Sequence, residues 1–151
     1  MVRGSGNIIS EDRAVSGFNK VSVSGGGNIF VEQGDEESLT VKAAENILPL
    51  LTTEVSGSTL TIAAKPRVIV VGIKSIEVHL IVKDLNSISV TGSANVNCSS
   101  LSSGNIIINT TGSGNIVMSN LKADSIDIDS TGSGNYNLAG KTDSLKISAS
   151  G

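Results

Sequence analysis

Apolar and polar residues alternate in short runs along the whole chain. Val21-Ser22-Val23, Ile29-Phe30-Val31, Leu39-Thr40-Val41, Leu60-Thr61-Ile62 and Ile76-Glu77-Val78-His79-Leu80 all have this form. A period of two predicts strands with one buried face and one exposed face. Asp35-Glu36-Glu37 and Ser56-Gly57-Ser58 read as turns between them. Ala43 to Leu51 could make a helical turn, but Pro49 argues against a long helix there.

A second pattern overlies the first. Gly4-Ser5-Gly6-Asn7-Ile8 recurs as Gly25-Gly26-Gly27-Asn28-Ile29, Gly92-Ser93-Ala94-Asn95-Val96, Gly112-Ser113-Gly114-Asn115-Ile116 and Gly132-Ser133-Gly134-Asn135-Tyr136. The last three copies begin 20 residues apart. Aligned at that step, Val96, Ile116 and Tyr136 share a column, and Cys98, Met118 and Leu138 share another. Leu101 and Leu121 share a third, which Lys141 breaks. Ile106 aligns with Ile126 and Ile108 with Ile128, and Leu145 and Ile147 continue both after a one-residue deletion. Each unit reads as two short strands separated by a glycine corner.

One such unit cannot bury its apolar face alone, whereas stacked units can turn each column into an internal ladder. The expected fold is therefore an all-β, right-handed parallel β-helix or β-solenoid with about 20 residues per coil, coils ~4.8 Å apart. The expected domain is single, 1–151, with irregular coils or a β-rich cap over 1–84 and regular coils over 85–151. Gly92, Gly112, Gly114, Gly132 and Gly134 are the expected corner glycines. Asn95, Asn115 and Asn135 follow them, where a short amide can bond its own turn and its equivalent one coil away.

Composition qualifies this picture. With 17 Gly, 24 Ser and 13 Asn the chain could pass for a flexible segment, but 17 Ile, 15 Val and 11 Leu are enough for a core. The net charge is −3, with no basic patch, which argues against a nucleic-acid partner. No apolar run approaches the ~18 residues of a membrane span. The first residues lack the apolar stretch of a signal peptide, so the expectation is either a cytosolic protein or one whose signal was removed. A single cysteine rules out an internal disulfide.

Candidate chemistry is sparse. Gly112-Ser113-Gly114-Asn115-Ile116-Val117 lacks the third glycine of a dinucleotide fingerprint. The 20-residue step and the Asn after the glycines also differ from calcium-binding nonapeptide repeats. No cofactor, metal or catalytic residue is assigned. His79 is expected to face outward with Glu77 and Ile81, and Cys98 inward as an inert apolar filler. Asp127 and Asp129 face outward, with Lys146 near Asp127 one unit later, which reads as a solvated ion pair. From Leu85 to Leu121 there is no Asp, Glu, Lys, Arg or His, so this stretch cannot supply the clustered carboxylates of a carbohydrate-active β-helix enzyme. Its Ser, Thr and Asn face suits either plain solvation or a broad adhesive contact with a glycan or protein. Few aromatic residues are available as stacking platforms.

The repeats resemble the auto-transporter adhesin head GIN domain family. So do Ser16-Gly17-Phe18-Asn19-Lys20-Val21-Ser22-Val23, Gly27-Asn28-Ile29-Phe30-Val31-Glu32-Gln33-Gly34-Asp35, and the Ser58–Ile62 and Ile76–Leu80 strands in that order. The resemblance implies a parallel β-helix-like fold and an exported envelope or surface protein, often anchored through an N-terminal segment absent here. It implies no known catalytic residues. The chain ends at Ala149-Ser150-Gly151, where another glycine corner would begin, so a last coil is expected to be missing. The expected role is a non-enzymatic surface or envelope module, adhesive or spacer-like. The alternatives are a carbohydrate-active enzyme, a glycan-binding module, or a scaffold that self-assembles into homo-oligomers through open strand edges.

Overall fold

The computed structural model describes residues 2–3, 7–64, 70–71 and 76–150. Its strands are β1 (Val2–Arg3), β2 (Ile8–Arg13), β3 (Lys20–Gly25), β4 (Asn28–Gln33), β5 (Ser38–Ala44), β6 (Leu51–Ser56) and β7 (Thr59–Ala64). They continue as β8 (Val70–Val71), β9 (Glu77–Val82), β10 (Ser87–Gly92), β11 (Asn95–Cys98), β12 (Leu101–Gly112), β13 (Ile116–Gly132) and β14 (Tyr136–Ser150). A single 3-10 turn at Leu48–Leu50, with Pro49 inside it, precedes β6. The first three residues of the repeat copy at 4–8 and the terminal Gly151 lie outside the described residues.

Twelve strands form one sheet. Eleven follow the order β2-β5-β9-β4-β11-β13-β12-β10-β3-β7-β6, and β14 pairs with β13. The sheet curls around one core into a nearly closed, barrel-like wall. This corrects the expected parallel β-helix. Its pairing is mixed: β2·β5, β5·β9 and β6·β7 are antiparallel. For β6·β7 the physical reason lies in the link, whereas β2·β5 and β5·β9 bring together strands distant in sequence, whose direction is set by packing on the shared core. Parallel neighbours need a long crossover, and a two-residue link permits only an antiparallel hairpin. Gly57-Ser58, with Gly57 at φ 62°, is such a link between β6 and β7.

The aligned columns lie side by side in the sheet. Val96 pairs with Ile116, and Ile116 with Tyr136. Ile88 pairs with Ile108, and Ile108 with Ile128. These shared registers do not make separate coils. β13 bends near Ser119-Asn120, where its register shifts. Its first arm pairs with β11 and its second with β12, joining both walls into one sheet.

The core is almost wholly aliphatic. Val21, Ile29, Leu39, Val78, Ile88, Val96, Leu101, Ile108 and Ile116 are buried, with Phe18 as its aromatic member. Each such side chain contributes roughly 1.5–3 kcal/mol of transfer free energy on burial. The open margins of the wall are β2 and β6. Arg13 bridges them from the end of β2. Its Nη1 donates to Leu51 O at 2.9 Å and Thr53 Oγ1 at 3.3 Å, and its Nη2 donates to Leu48 O at 2.9 Å. Nε donates to Glu11 at 2.9 Å.

Candidate functional site

Alternation sends the middle residue of each apolar-x-apolar strand outward. Across one face, register partners therefore line up as a continuous outer row. Asp12 pairs with Thr40, Thr40 with His79, and His79 with Phe30. Phe30 pairs with Asn97, Asn97 with Val117, and Val117 with Asn137. Six neighbouring strands and the first arm of β14 contribute one residue each.

Phe30 and His79 stack in the middle of this row. Their ring centroids are 4.9 Å apart and their planes meet at 14°. That spacing matches the distance between paired strands, so the rings stand side by side along the row. Each shares one face with the other. On the side away from His79 the register partner of Phe30 is Asn97, and on the side away from Phe30 that of His79 is Thr40. His79 is exposed, and Phe30 is half-buried. Thr40 Oγ1 donates to Asp12 Oδ1 at 2.8 Å, and Glu77 Oε2 lies 3.9 Å from His79 Nε2.

A groove of about 350 Å³ runs over the row. Phe30 and His79 contribute rings, and Ser38, Thr40, Asn97, Ser99 and Ser119 contribute hydroxyls and an amide. Glu32 supplies the carboxylate. Cys98 lies beneath, 2% exposed, with Sγ donating to Ser100 O at 3.9 Å. Burial raises its thiol pKa to about 11, partly offset by that contact.

The glycine and asparagine positions singled out in the sequence form a separate column at the corners. Gly92, Gly112 and Gly132 have φ of 115°, 116° and 116°. A Cβ on Gly92 would stand 2.5 Å from Gly25 O, and Cβ atoms on Gly112, Gly114, Gly132 and Gly134 would approach the backbone oxygens below them more closely still. Asn95 Nδ2 donates to Asn28 Oδ1 at 3.4 Å, and Asn115 Nδ2 to Asn95 Oδ1 at 3.0 Å. Asn135 N donates to Asn115 Oδ1 at 3.1 Å. The Asn95 and Asn115 amides thus bond along the column from one repeat to the next.

The residues weighed for catalysis are not gathered. Glu77 has Asn28 and Lys42 as register partners, whereas Asp127 has Ile107 and Lys146. Asp127 and Lys146 lie opposite one another without closing to ion-pair distance, which corrects the expected salt bridge. Among the described residues no three His, Cys, Asp or Glu side chains converge as metal ligands. No helix there is long and apolar enough to cross a membrane. The Phe30–His79 pair is absent from sequence reasoning because 49 residues separate the rings. The available signal was their shared place at the centre of an apolar-x-apolar strand.

An outer row of aromatic, hydroxyl, amide and apolar side chains, with Asp12 at one end, lies on a curled, aliphatic-cored sheet and offers a broad face. The chain belongs to the family described as "Putative auto-transporter adhesin, head GIN domain", which matches residues 17–151. No curated protein matches it. Among solved structures, one from Parabacteroides distasonis titled a putative lipid binding protein superposes with a TM-score of 0.92 at 25% identity. The match covers 98% of this chain and 65% of that one, so the present chain spans less than two thirds of that relative. A putative adhesin of Parabacteroides distasonis is 26% identical with a TM-score of 0.71, over 98% of this chain and 72% of that one. A putative adhesin from Bacteroides fragilis shares the fold at 18% identity and a TM-score of 0.70, over 100% and 97% of the two chains.

Proposed function

We propose that this chain is a non-enzymatic, adhesion-like module of the cell surface or envelope, and that its outer row is the contacting face. The observation that carries this reading is the row itself: an aromatic pair set among hydroxyl and amide groups. Family membership supports the adhesive role and the surface location. The dispersed carboxylates support a role without turnover. We also read 1–151 as one unit, with 1–84 closing the core that 85–151 extends, because one hydrophobic cluster includes residues from both parts.

The test couples beads coated with the chain to surfaces coated with mucin or a matrix glycoprotein. Attachment above that of albumin-coated beads, with no reducing ends released from soluble glycans, is the expected result. Attachment at the albumin level would overturn the adhesive reading. Glycan turnover abolished by Asp127→Asn or Glu77→Gln would overturn the non-enzymatic one. Antibody labelling of intact producing cells tests the location.

One observation favours a second reading, self-association. Leu145 and Ile147 on β14 are 54% and 61% exposed, and among the described residues β14 pairs only with β13. An apolar strand edge of this kind is a template for another strand. Concentration-dependent sedimentation, abolished by Ile147→Lys, would support it.

A further inference from the structure

We propose that the step beside Phe30 is a binding subsite for one ring of a neutral saccharide. The proposal rests on the reading of this face as adhesive and adds the chemical class of its ligand. Four observations carry it. On the side of Phe30 away from His79 the row continues through the shorter side chains of Asn97 and Val117, which line the groove with it and leave room for a flat ring beside Phe30. The groove, about 350 Å³, falls at the small end of the roughly 300–1,000 Å³ typical of ligand sites. Asn97, Ser99 and Ser119 line it, and none of these side chains has a hydrogen-bond partner among the described residues. Asn97 alone supplies two donors and an acceptor, and each serine supplies one donor and two lone pairs.

The chemistry of the ligand follows from those groups. The negative face of an aromatic ring attracts the C–H face of a pyranose. Amide and hydroxyl groups can then bond the sugar hydroxyls at its rim. Glu32 adds an acceptor able to take a pair of hydroxyl protons. No lysine or arginine lines the groove, so nothing in it compensates an anionic ligand. His79 backs the opposite face of Phe30 and holds that ring upright. It is a positioning residue, whereas Phe30 and Asn97 would touch the sugar.

The probes are cellotetraose, mannotetraose and chitotetraose, titrated into the isotopically labelled chain and followed by amide chemical shifts. At least one should move resonances centred on Phe30, Asn97 and Val117. Phe30→Ala should weaken that binding about tenfold, and Phe30→Tyr should keep it. Asn97→Ala should weaken it while leaving the unfolding midpoint near that of the parent. Shifts centred elsewhere, no response to any of the three, or full affinity in a folded Phe30→Ala chain would each overturn the proposal. A salt-sensitive response to tetralysine in place of the sugars would overturn it too. Bead attachment separates the two levels. Attachment that persists unchanged in Phe30→Ala keeps the adhesive reading and overturns the sugar subsite, whereas attachment at the albumin level overturns the reading on which the subsite rests.

Discussion

Gly112 stands over Gly92 with no space for a side chain between them. A Cβ on Gly112 would meet the Gly92 carbonyl oxygen, and the backbone there holds φ at 116°, where L residues are strained. Gly57 also has positive φ, at 62°, but a Cβ there meets nothing within 4 Å. Gly112→Ala should therefore cost about 3 kcal/mol and Gly57→Ala about 1 kcal/mol. Urea midpoints of both variants check this. Equal losses would mean that the corner can relax.

Cys98 tests the inward face of β11. Native thiol labelling should be slow, becoming fast in denaturant. Cys98→Ala should cost roughly 1 kcal/mol through a small void. Cys98→Asp should cost at least about 3 kcal/mol, because it buries an unpaired carboxylate.

The same thiol makes a signed prediction about pH. Burial raises its pKa from 9.0 to about 11, so between those values the folded chain holds a proton that the unfolded chain releases. Stability from this group is intact below pH 9 and should fall as pH rises toward 11. In Cys98→Ala that part of the decline should vanish. Equilibrium unfolding at pH 8 and pH 10.5 reads the difference.

Arg13 closes the seam between β2 and β6 through the Leu48 and Leu51 carbonyls. Arg13→Ala should cost about 2 kcal/mol. Arg13→Lys should recover only part of it, because an ammonium cannot reproduce the fork. Amide exchange should accelerate first in β6. An unchanged exchange pattern would mean that core packing alone holds the margins together.

Tyr136 ends its column with a polar tip. Its hydroxyl forms a short hydrogen bond with Thr110, which also donates to Ser130 at 3.3 Å. Thr110 and Ser130 are buried, so their hydroxyls depend on these partners. Tyr136→Phe should cost about 1 kcal/mol. Phe at 136 combined with Val at 110 should lose less than the two single changes summed, as a double-mutant cycle would record.

Alternation was legible because it needs only local geometry. Val96 and Cys98 face inward and Asn97 outward because successive side chains on a strand point to opposite sides, whatever the strand pairs with. The register of the later strands was legible for a related reason. Equal spacing of Ile106, Ile126 and their neighbours makes one shift far better than any other. The aliphatic core and the outward His79 follow from the same rule.

Pairing direction and neighbour identity were not legible. Nothing local in Ser38–Ala44 states that it lies antiparallel to Glu77–Val82, and nothing in Ile8–Arg13 states that it then joins Ser38–Ala44. The regular spacing of the second half suggested coils throughout, but the first half adds one hairpin, β6–β7, and two antiparallel pairings between strands distant in sequence, β2·β5 and β5·β9, in a nearly closed wall. The candidate site depends on those same choices. Phe30 and His79 are each predictable as exposed, but their stacking requires β4 to pair with β9, a decision made by burying both apolar faces in one shared core. Periodicity along a strand is a property of the chain, whereas adjacency between strands 49 residues apart is a property of the packed whole.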